Sequence, residues 1–112
     1  NPEITPNIFG VKTFSIVSSS MSPTIGKNDI VIVKECEENE IQINDIITFN
    51  VDGETITHRV KNIEREENEK VYITKGDSNE IADTEKVTFK QIEGKYVGRI
   101  LKARQSIRVS KK

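Results

Sequence analysis

Residues 45–60 read DIITFNVDGETITHRV, and this stretch decides the fold. β-branched and aromatic residues dominate both of its halves, which is the composition of β-strands. The dipeptide Asp52-Gly53 between the halves suits a tight turn with positive φ. We therefore expect a β-hairpin here.

Short runs of the same kind recur along the chain, separated by Gly, Asn, Asp and clusters of charge, while helical periodicity is weak throughout. The sequence thus predicts a mostly-β fold of antiparallel strands. The predicted strands cover residues 11–17, 30–34, 45–51, 55–63, 70–74 and 96–101, and residues 64–69 are expected to form an acidic loop.

Length and charge limit the organisation of the chain. With 112 residues, 34% of them hydrophobic and 31% charged, it can build one core of Ile and Val but not two. Residues 102–112 hold five Lys or Arg and no acid. Since the net charge of the whole chain is −1, residues 1–101 carry a net charge of −6. We predict one domain, residues 1–101, and a basic tail, residues 102–112. Because the body is acidic, a nucleic-acid partner is not expected.

Other features exclude further classes of function. Cys36 lies among glutamates, which disfavour a thiolate nucleophile. No Cys/His metal spacing and no Gly-rich phosphate loop is present, so we expect no metal and no cofactor. The longest wholly apolar run, Ile30 to Val33, is too short to span a membrane. Since the chain has neither an initiator Met nor a signal at its start, we expect it to be an internal part of a longer protein.

The only histidine lies in the second half of the hairpin. A period of two places Ile56, His58 and Val60 on one face of this strand. His58 therefore points to the apolar side, where it serves either as a core histidine or as a general base.

Two polar segments supply groups that an imidazole can act with. Residues 16–24 read IVSSSMSPT, so three consecutive serines, Ser18 to Ser20, lie where a strand ends shortly before Pro23. A hydroxyl at such a place lies beside unpaired N–H groups, the components of an oxyanion hole. Residues 74–83 read TKGDSNEIAD, a polar loop whose Asp77 and Asp83 are both candidates to orient a histidine. Taken alone, the first segment also fits a plain polar turn and the second an Asx turn.

Four boxes, taken together and in this order, resemble the motifs of signal peptidase I of the endoplasmic-reticulum type. SSSMSPT (18–24), THRV (57–60), KGDSN (75–79) with Asp83, and KYVGRI (95–100) are similar to the family's Ser-x-Ser-Met-x-Pro-Thr, His-Arg-Val, Gly-Asp-Asn…Asp and Val-Gly-Arg boxes. The resemblance covers about residues 11–101. Histidine in the second box distinguishes this type, shared by archaea and some Gram-positive bacteria, from the enzymes with a lysine base. The departures, Ser19, Ser22 and Ser78, leave the chemistry intact.

The resemblance implies a serine endopeptidase on a coiled, barrel-like β fold, as in signal peptidases and LexA-like proteases. Ser20 is then the nucleophile and His58 its base. Asp83 is the expected partner of His58, and Asp77 is the alternative. Ser18, with the Ser20 N–H, is expected to form the oxyanion hole, and Met21 to line a pocket for small side chains.

The same resemblance implies the substrate and the location. The substrate would be the signal peptide of an exported precursor, cleaved after an Ala-x-Ala-like sequence. Membrane anchors outside these residues would hold the domain on the extracytoplasmic side of the cell membrane.

Two other readings compete with this one. The first is a non-catalytic extracytoplasmic β module that binds or assembles with other proteins. The second is a self-cleaving Ser-Lys protease, which needs a buried lysine and an internal Ala-Gly-like site. The sequence contains no Ala-Gly-like site. Its nearby lysines, Lys61 and Lys75, do not occupy the box that holds the base.

Overall fold

The computed structural model describes residues 10–101. The predicted basic tail lies outside the described residues. The strands are β1 Val11–Ser15, β2 Ile30–Lys34, β3 Ile46–Val51, β4 Glu54–Glu66, β5 Glu69–Lys75, β6 Val87–Thr88 and β7 Ile92–Ile100. Two short 3-10 turns, Glu38–Glu40 and Phe89–Gln91, complete the regular structure of the described residues, which contain no α-helix.

All seven strands form a single antiparallel sheet in the order β1-β2-β7-β3-β4-β5-β6. This confirms the predicted mostly-β, single-domain class. Within residues 10–101 the sheet is not closed, because β1 and β6 are edge strands that do not pair with each other. β7 joins its two halves, since its first part pairs with β3 and its second part with β2.

The predicted hairpin between β3 and β4 is present, and Asp52 and Gly53 both have positive φ, 48° and 84°. The prediction of an acidic loop at residues 64–69 is wrong. β4 continues to Glu66 and β5 begins at Glu69, so only Glu67 and Asn68 form the turn, with φ of 49° and 69°. The strand ends at this hairpin tip are charged on both faces. They show no alternation of apolar and polar residues, because both faces are solvated, and so the sequence pattern did not indicate strands.

Two clusters of buried side chains form the core, one in each half of the sheet. The smaller cluster is formed mainly by the turn that follows β1 and by strand β2. The larger cluster is formed mainly by side chains of β3, β4 and β5. The smaller consists of Met21, Ile25, Val31, Val33 and Ile46. The larger consists of Ile41, Ile47, Phe49, Val60, Tyr72 and Val87. The candidate site lies where these two halves meet.

Candidate active site

The three serines lie in a compact turn that follows β1. Ser22 N donates to the Ser19 carbonyl at 3.0 Å and Ile25 N to the Met21 carbonyl at 2.9 Å. Met21 and Ile25 are 1% and 0% exposed and anchor the turn in the smaller cluster. The turn is therefore held by its apolar side chains, while the side chain of Ser20 stays half-buried at the surface.

His58 lies on β4 opposite Ile47 and faces the larger cluster, as the period of two predicts. It is 9% exposed, and its ring meets Phe49 edge to face at 6.4 Å between centroids. Nε2 lies 3.1 Å from Ser20 Oγ, and Nδ1 lies 2.7 Å from Asp83 Oδ2. The imidazole is thus packed like a core residue and also hydrogen-bonded at both nitrogens.

The two aspartates of the loop between β5 and β6 have different partners. Arg59 donates to both oxygens of Asp77, from Nε at 2.9 Å and from Nη2 at 2.8 Å, and Thr24 Oγ1 donates at 2.7 Å. The Arg59 hydrogen bonds, helped by Thr24 and opposed by burial, lower the pKa of Asp77 to about 2. Of the two carboxylates, the one hydrogen-bonded to the imidazole is that of Asp83.

The hydroxyl of Ser18 is close to both polar atoms of Ser20. Ser18 Oγ lies 3.1 Å from Ser20 Oγ and accepts the Ser20 N–H at 3.3 Å. The two groups predicted to form an oxyanion hole are therefore adjacent, and in this structure they bond to each other.

Met21, expected to line a pocket for small side chains, also belongs to the core. Its side chain packs in the smaller cluster, and it also lines the cleft beside Ser20. In addition, its Sδ accepts the Asp77 N–H at 3.3 Å. Ile25, the other apolar residue of the turn, is buried and does not line the cleft.

The loop after β5 is joined to the serine turn by backbone contacts. Ser78 N donates to the Ser20 carbonyl at 2.8 Å, and Ser78 Oγ donates to the Ser19 carbonyl at 2.9 Å. Gly76 is buried at this contact, where a Cβ would lie 2.7 Å from the Ser20 carbonyl oxygen and 3.0 Å from His58 Nε2. Only glycine lets the loop approach this closely.

A cleft of about 330 Å³ opens beside Ser20. One wall is the chain from Phe14 to Ser18 and the other is the first part of β4, Glu54 to His58. Phe14 and Ser15 belong to an edge strand, and β5 pairs with β4 only from Arg59 onward. Both walls therefore present strand edges that no strand of the described residues covers.

Sequence reasoning missed several polar partners of the site. Thr74 Oγ1 donates to Asp83 Oδ2 at 2.6 Å, and Arg59 and Thr24 hold Asp77. A polar residue on the inward face of the predicted strand 70–74 was the available signal for Thr74. Lys75 Nζ donates to the carbonyls of Gly76 and Asn79, at 3.0 and 2.6 Å, so its ammonium is already engaged away from Ser20.

Among residues 10–101, no group of His, Cys, Asp and Glu is arranged to hold a metal ion. No helix in the same range is long and apolar enough to cross a membrane. Burial, more than the surrounding carboxylates, raises the pKa of the Cys36 thiol.

A hydroxyl, an imidazole and a carboxylate in series on a β scaffold define the class of serine peptidases. Residues 9–101 match the family model described as Peptidase S24-like, and the chain belongs to this family.

Its relatives narrow the class to signal peptidases, which confirms the resemblance seen in the motifs. The chain is 35% identical over 95 residues to signal peptidase I W of Bacillus subtilis, which covers 83% of this chain and 50% of that protein. It is 32% identical over 71 residues to the signal peptidase complex catalytic subunit SEC11C of Homo sapiens, covering 61% of this chain and 37% of the subunit. The SEC11 subunit of Yarrowia lipolytica is 29% identical over 70 residues, with 61% and 40% covered. The chain thus spans half or less of the length of these relatives.

Proposed function

We propose that this chain is the catalytic domain of a signal peptidase of the endoplasmic-reticulum type, with Ser20 as nucleophile and His58 as general base. The observation that carries the proposal is the hydrogen-bond series from Ser20 Oγ to His58 Nε2, 3.1 Å, and from His58 Nδ1 to Asp83 Oδ2, 2.7 Å. The series opens onto the cleft, where an extended peptide can reach the hydroxyl.

In the reaction, Ser20 Oγ attacks the carbonyl at the cleavage site while His58 Nε2 takes its proton. His58 then gives the proton to the leaving amine, and water hydrolyses the acyl-enzyme in a second cycle of the same kind. Asp83 accepts the Nδ1–H, which selects the tautomer with a free Nε2 and stabilises the imidazolium. General acid–base catalysis of this kind contributes about 10²–10⁴-fold.

The oxyanion that develops on the scissile carbonyl needs two donors. The backbone nitrogen of Ser20 and the hydroxyl oxygen of Ser18 are 3.3 Å apart. When substrate binds, the hydrogen bond between them is replaced by a hydrogen bond from each group to the oxyanion. Removal of one such donor costs about 3 kcal/mol of barrier.

The substrate is the signal peptide of an exported precursor, bound in an extended conformation between the two uncovered edges of the cleft. Backbone pairing of this kind supplies affinity, while the side-chain pockets supply specificity. Phe14, Ile16, Met21 and Ile56 line the cleft and leave shallow apolar space beside Ser20. Such space suits cleavage after small residues in Ala-x-Ala-like sequences.

The catalytic domain comprises residues 1–101, and residues 102–112 are a basic tail. Asp77 has a structural role in the domain, because both of its oxygens are held by Arg59 and Thr24. The chemistry uses side chains and one backbone N–H of the chain itself and calls for no cofactor. We place the domain on the extracytoplasmic side of the cell membrane, attached through anchors outside these residues.

The test is cleavage of a signal-peptide precursor in detergent or lipid vesicles by the full-length protein. Ser20→Ala and His58→Ala should each lower kcat by about 10³-fold or more, because the nucleophile and its base act as a unit. Ser19→Ala is the matched control, since it removes a hydroxyl from the same turn and should cut at the wild-type rate.

The competing reading, a non-catalytic β module, predicts a different pattern. In that case Ser20→Ala and His58→Ala change only stability, and any cleavage in the preparation stays at the wild-type level. Such a result would end the peptidase assignment.

A further inference from the structure

Thr74 places a hydroxyl directly behind the carboxylate that holds His58. It lies near the end of β5, is 0% exposed, and faces inward on the same side of the strand as Tyr72. Its Oγ1 lies 2.6 Å from Asp83 Oδ2, and its carbonyl accepts the Asp83 N–H at 2.8 Å. Asp83 is therefore tied to the end of β5 through both its backbone and its side chain.

A hydroxyl at this position needs an explanation, because valine has nearly the same shape and carries no polar group to satisfy. The buried threonines Thr48 and Thr57 show the ordinary solution, since their hydroxyls bond to each other at 2.7 Å. Thr74 instead bonds to an acidic side chain. An ionised carboxylate only accepts hydrogen bonds, so the Thr74 hydroxyl is the donor.

Two donors converge on one oxygen of Asp83. The Nδ1–H of His58 reaches Oδ2 at 2.7 Å and the Thr74 hydroxyl reaches the same atom at 2.6 Å. The Asp83 side chain is 27% exposed and lies on a loop outside regular structure, so solvent competes for it. The bond from a fully buried strand residue selects the carboxylate rotamer in which Oδ2 faces the imidazole.

We propose that Thr74 is a positioning residue of the peptidase: it orients the Asp83 carboxylate and, through it, the His58 ring toward Ser20. The series that positions the nucleophile then has four members, Thr74, Asp83, His58 and Ser20. This inference rests on the proposed function, because it assigns Thr74 a part in the same reaction.

The experiment compares Thr74→Val with Thr74→Ser in the full-length protein acting on a signal-peptide precursor. Thr74→Val keeps the shape and removes the donor, so kcat should fall about 10–100-fold, as for other groups that orient a ligating or catalytic side chain. KM should not change, because Thr74 does not line the cleft. Thr74→Ser restores the hydroxyl and should recover most of kcat.

Two additions separate positioning from stability. Thr48→Val is the matched control, since it also removes a buried threonine hydroxyl but one that bonds to Thr57; it should leave kcat unchanged in the folded protein. The Nδ1–H proton of His58, identified in the NMR spectrum by its loss in His58→Ala, should shift or broaden in Thr74→Val and keep its position in Thr74→Ser.

A wild-type kcat and an unmoved Nδ1–H signal in Thr74→Val would overturn the inference, as would an equal loss of kcat in Thr48→Val. If Thr74→Val does not fold, Thr74→Ala provides the same comparison without the donor. Failure of the proposed function looks different: Ser20→Ala then cuts like wild type, and the NMR signal still reports whether Thr74 orients the pair of Asp83 and His58.

Discussion

The two ends of the loop between β5 and β6 each carry an aspartate, and the two carboxylates have opposite surroundings. Asp77, at the first end, is saturated by the guanidinium of Arg59 and the hydroxyl of Thr24. Asp83, at the second end, accepts from the imidazole of His58 and the hydroxyl of Thr74. One carboxylate therefore bonds to a permanent cation, and the other to a group whose charge changes in the proposed mechanism.

The different partners of Asp77 and Asp83 show how a single loop can connect the two halves of the sheet and also contribute a side chain to the candidate active site. The Asp77 end contacts the serine turn, through Thr24 and through Met21 Sδ, and so fixes the position of Ser20 relative to the loop. The Asp83 carboxylate is hydrogen-bonded to two groups of the larger half, His58 and Thr74. The distance between Ser20 and His58 thus depends on the first end, and the orientation of the imidazole on the second.

Of the changes to this loop, Asp83→Asn should have the largest effect on catalysis. An amide can no longer hold the imidazole in the required tautomer and does not stabilise the imidazolium, so kcat should fall by about 10⁴-fold. Precursor cleavage by the full-length protein measures it, and urea unfolding serves as the check on folding. Asp77→Asn is the paired control; if it were the more damaging of the two for kcat in folded protein, the roles assigned to the two ends would be reversed.

Gly76→Ala tests the contact between the loop and the serine turn, with the next largest effect. The new Cβ would lie 2.7 Å from the Ser20 carbonyl oxygen and 3.0 Å from His58 Nε2, so the loop must move away. A displacement of about 1 Å costs about 10²-fold in kcat.

Gly98→Ala is the matched control for Gly76→Ala, because a Cβ at Gly98 meets nothing within 4 Å. It should retain the wild-type rate in the same precursor assay. Equal rates for the two alanine variants would mean that the loop does not determine the distance between Ser20 and His58.

The sequence predicted those parts of the molecule that depend on local pattern. Runs of β-branched residues identified β2, β3 and much of β4 and β5, and Asp52-Gly53 identified its turn. β6 has only two residues, too few to show a period, and it was missed. The start of β7 was also missed, because Gly94 breaks the strand pattern; the glycine is required there, since a Cβ would lie 2.7 Å from the Lys34 carbonyl oxygen.

For the candidate site, the motifs named Ser20, His58 and Asp83, with Asp77 kept as the alternative to Asp83. The distinction rests on contacts between residues far apart in the chain. Arg59 and Thr24 lie 18 and 53 positions from Asp77, and no spacing rule for a single strand or turn links them to it. Partners of this kind follow from the packing of the two halves, which only the folded structure shows.

The smallest of the three effects concerns stability and belongs to Asp77. Its pKa is lowered from 3.8 to about 2, chiefly by Arg59, and the two side chains are only 18% and 25% exposed. A carboxyl whose pKa is lower in the folded state stabilises the fold above its unfolded pKa and loses this contribution as the pH falls toward the folded pKa. Asp77→Asn should therefore lower the free energy of unfolding by about 2 kcal/mol at pH 7.

The difference between wild type and Asp77→Asn should shrink between about pH 4 and pH 2, because the wild-type carboxyl takes up its proton there and loses the charge that pairs with Arg59. Urea unfolding of both proteins at pH 7, 4 and 2.5 measures the trend, and other carboxylates cancel because they titrate in both. Asp83→Asn, measured alongside, separates the two ends of the loop. A gap for Asp77→Asn that stays constant over this range would mean that the ion pair with Arg59 is not what holds the first end in place.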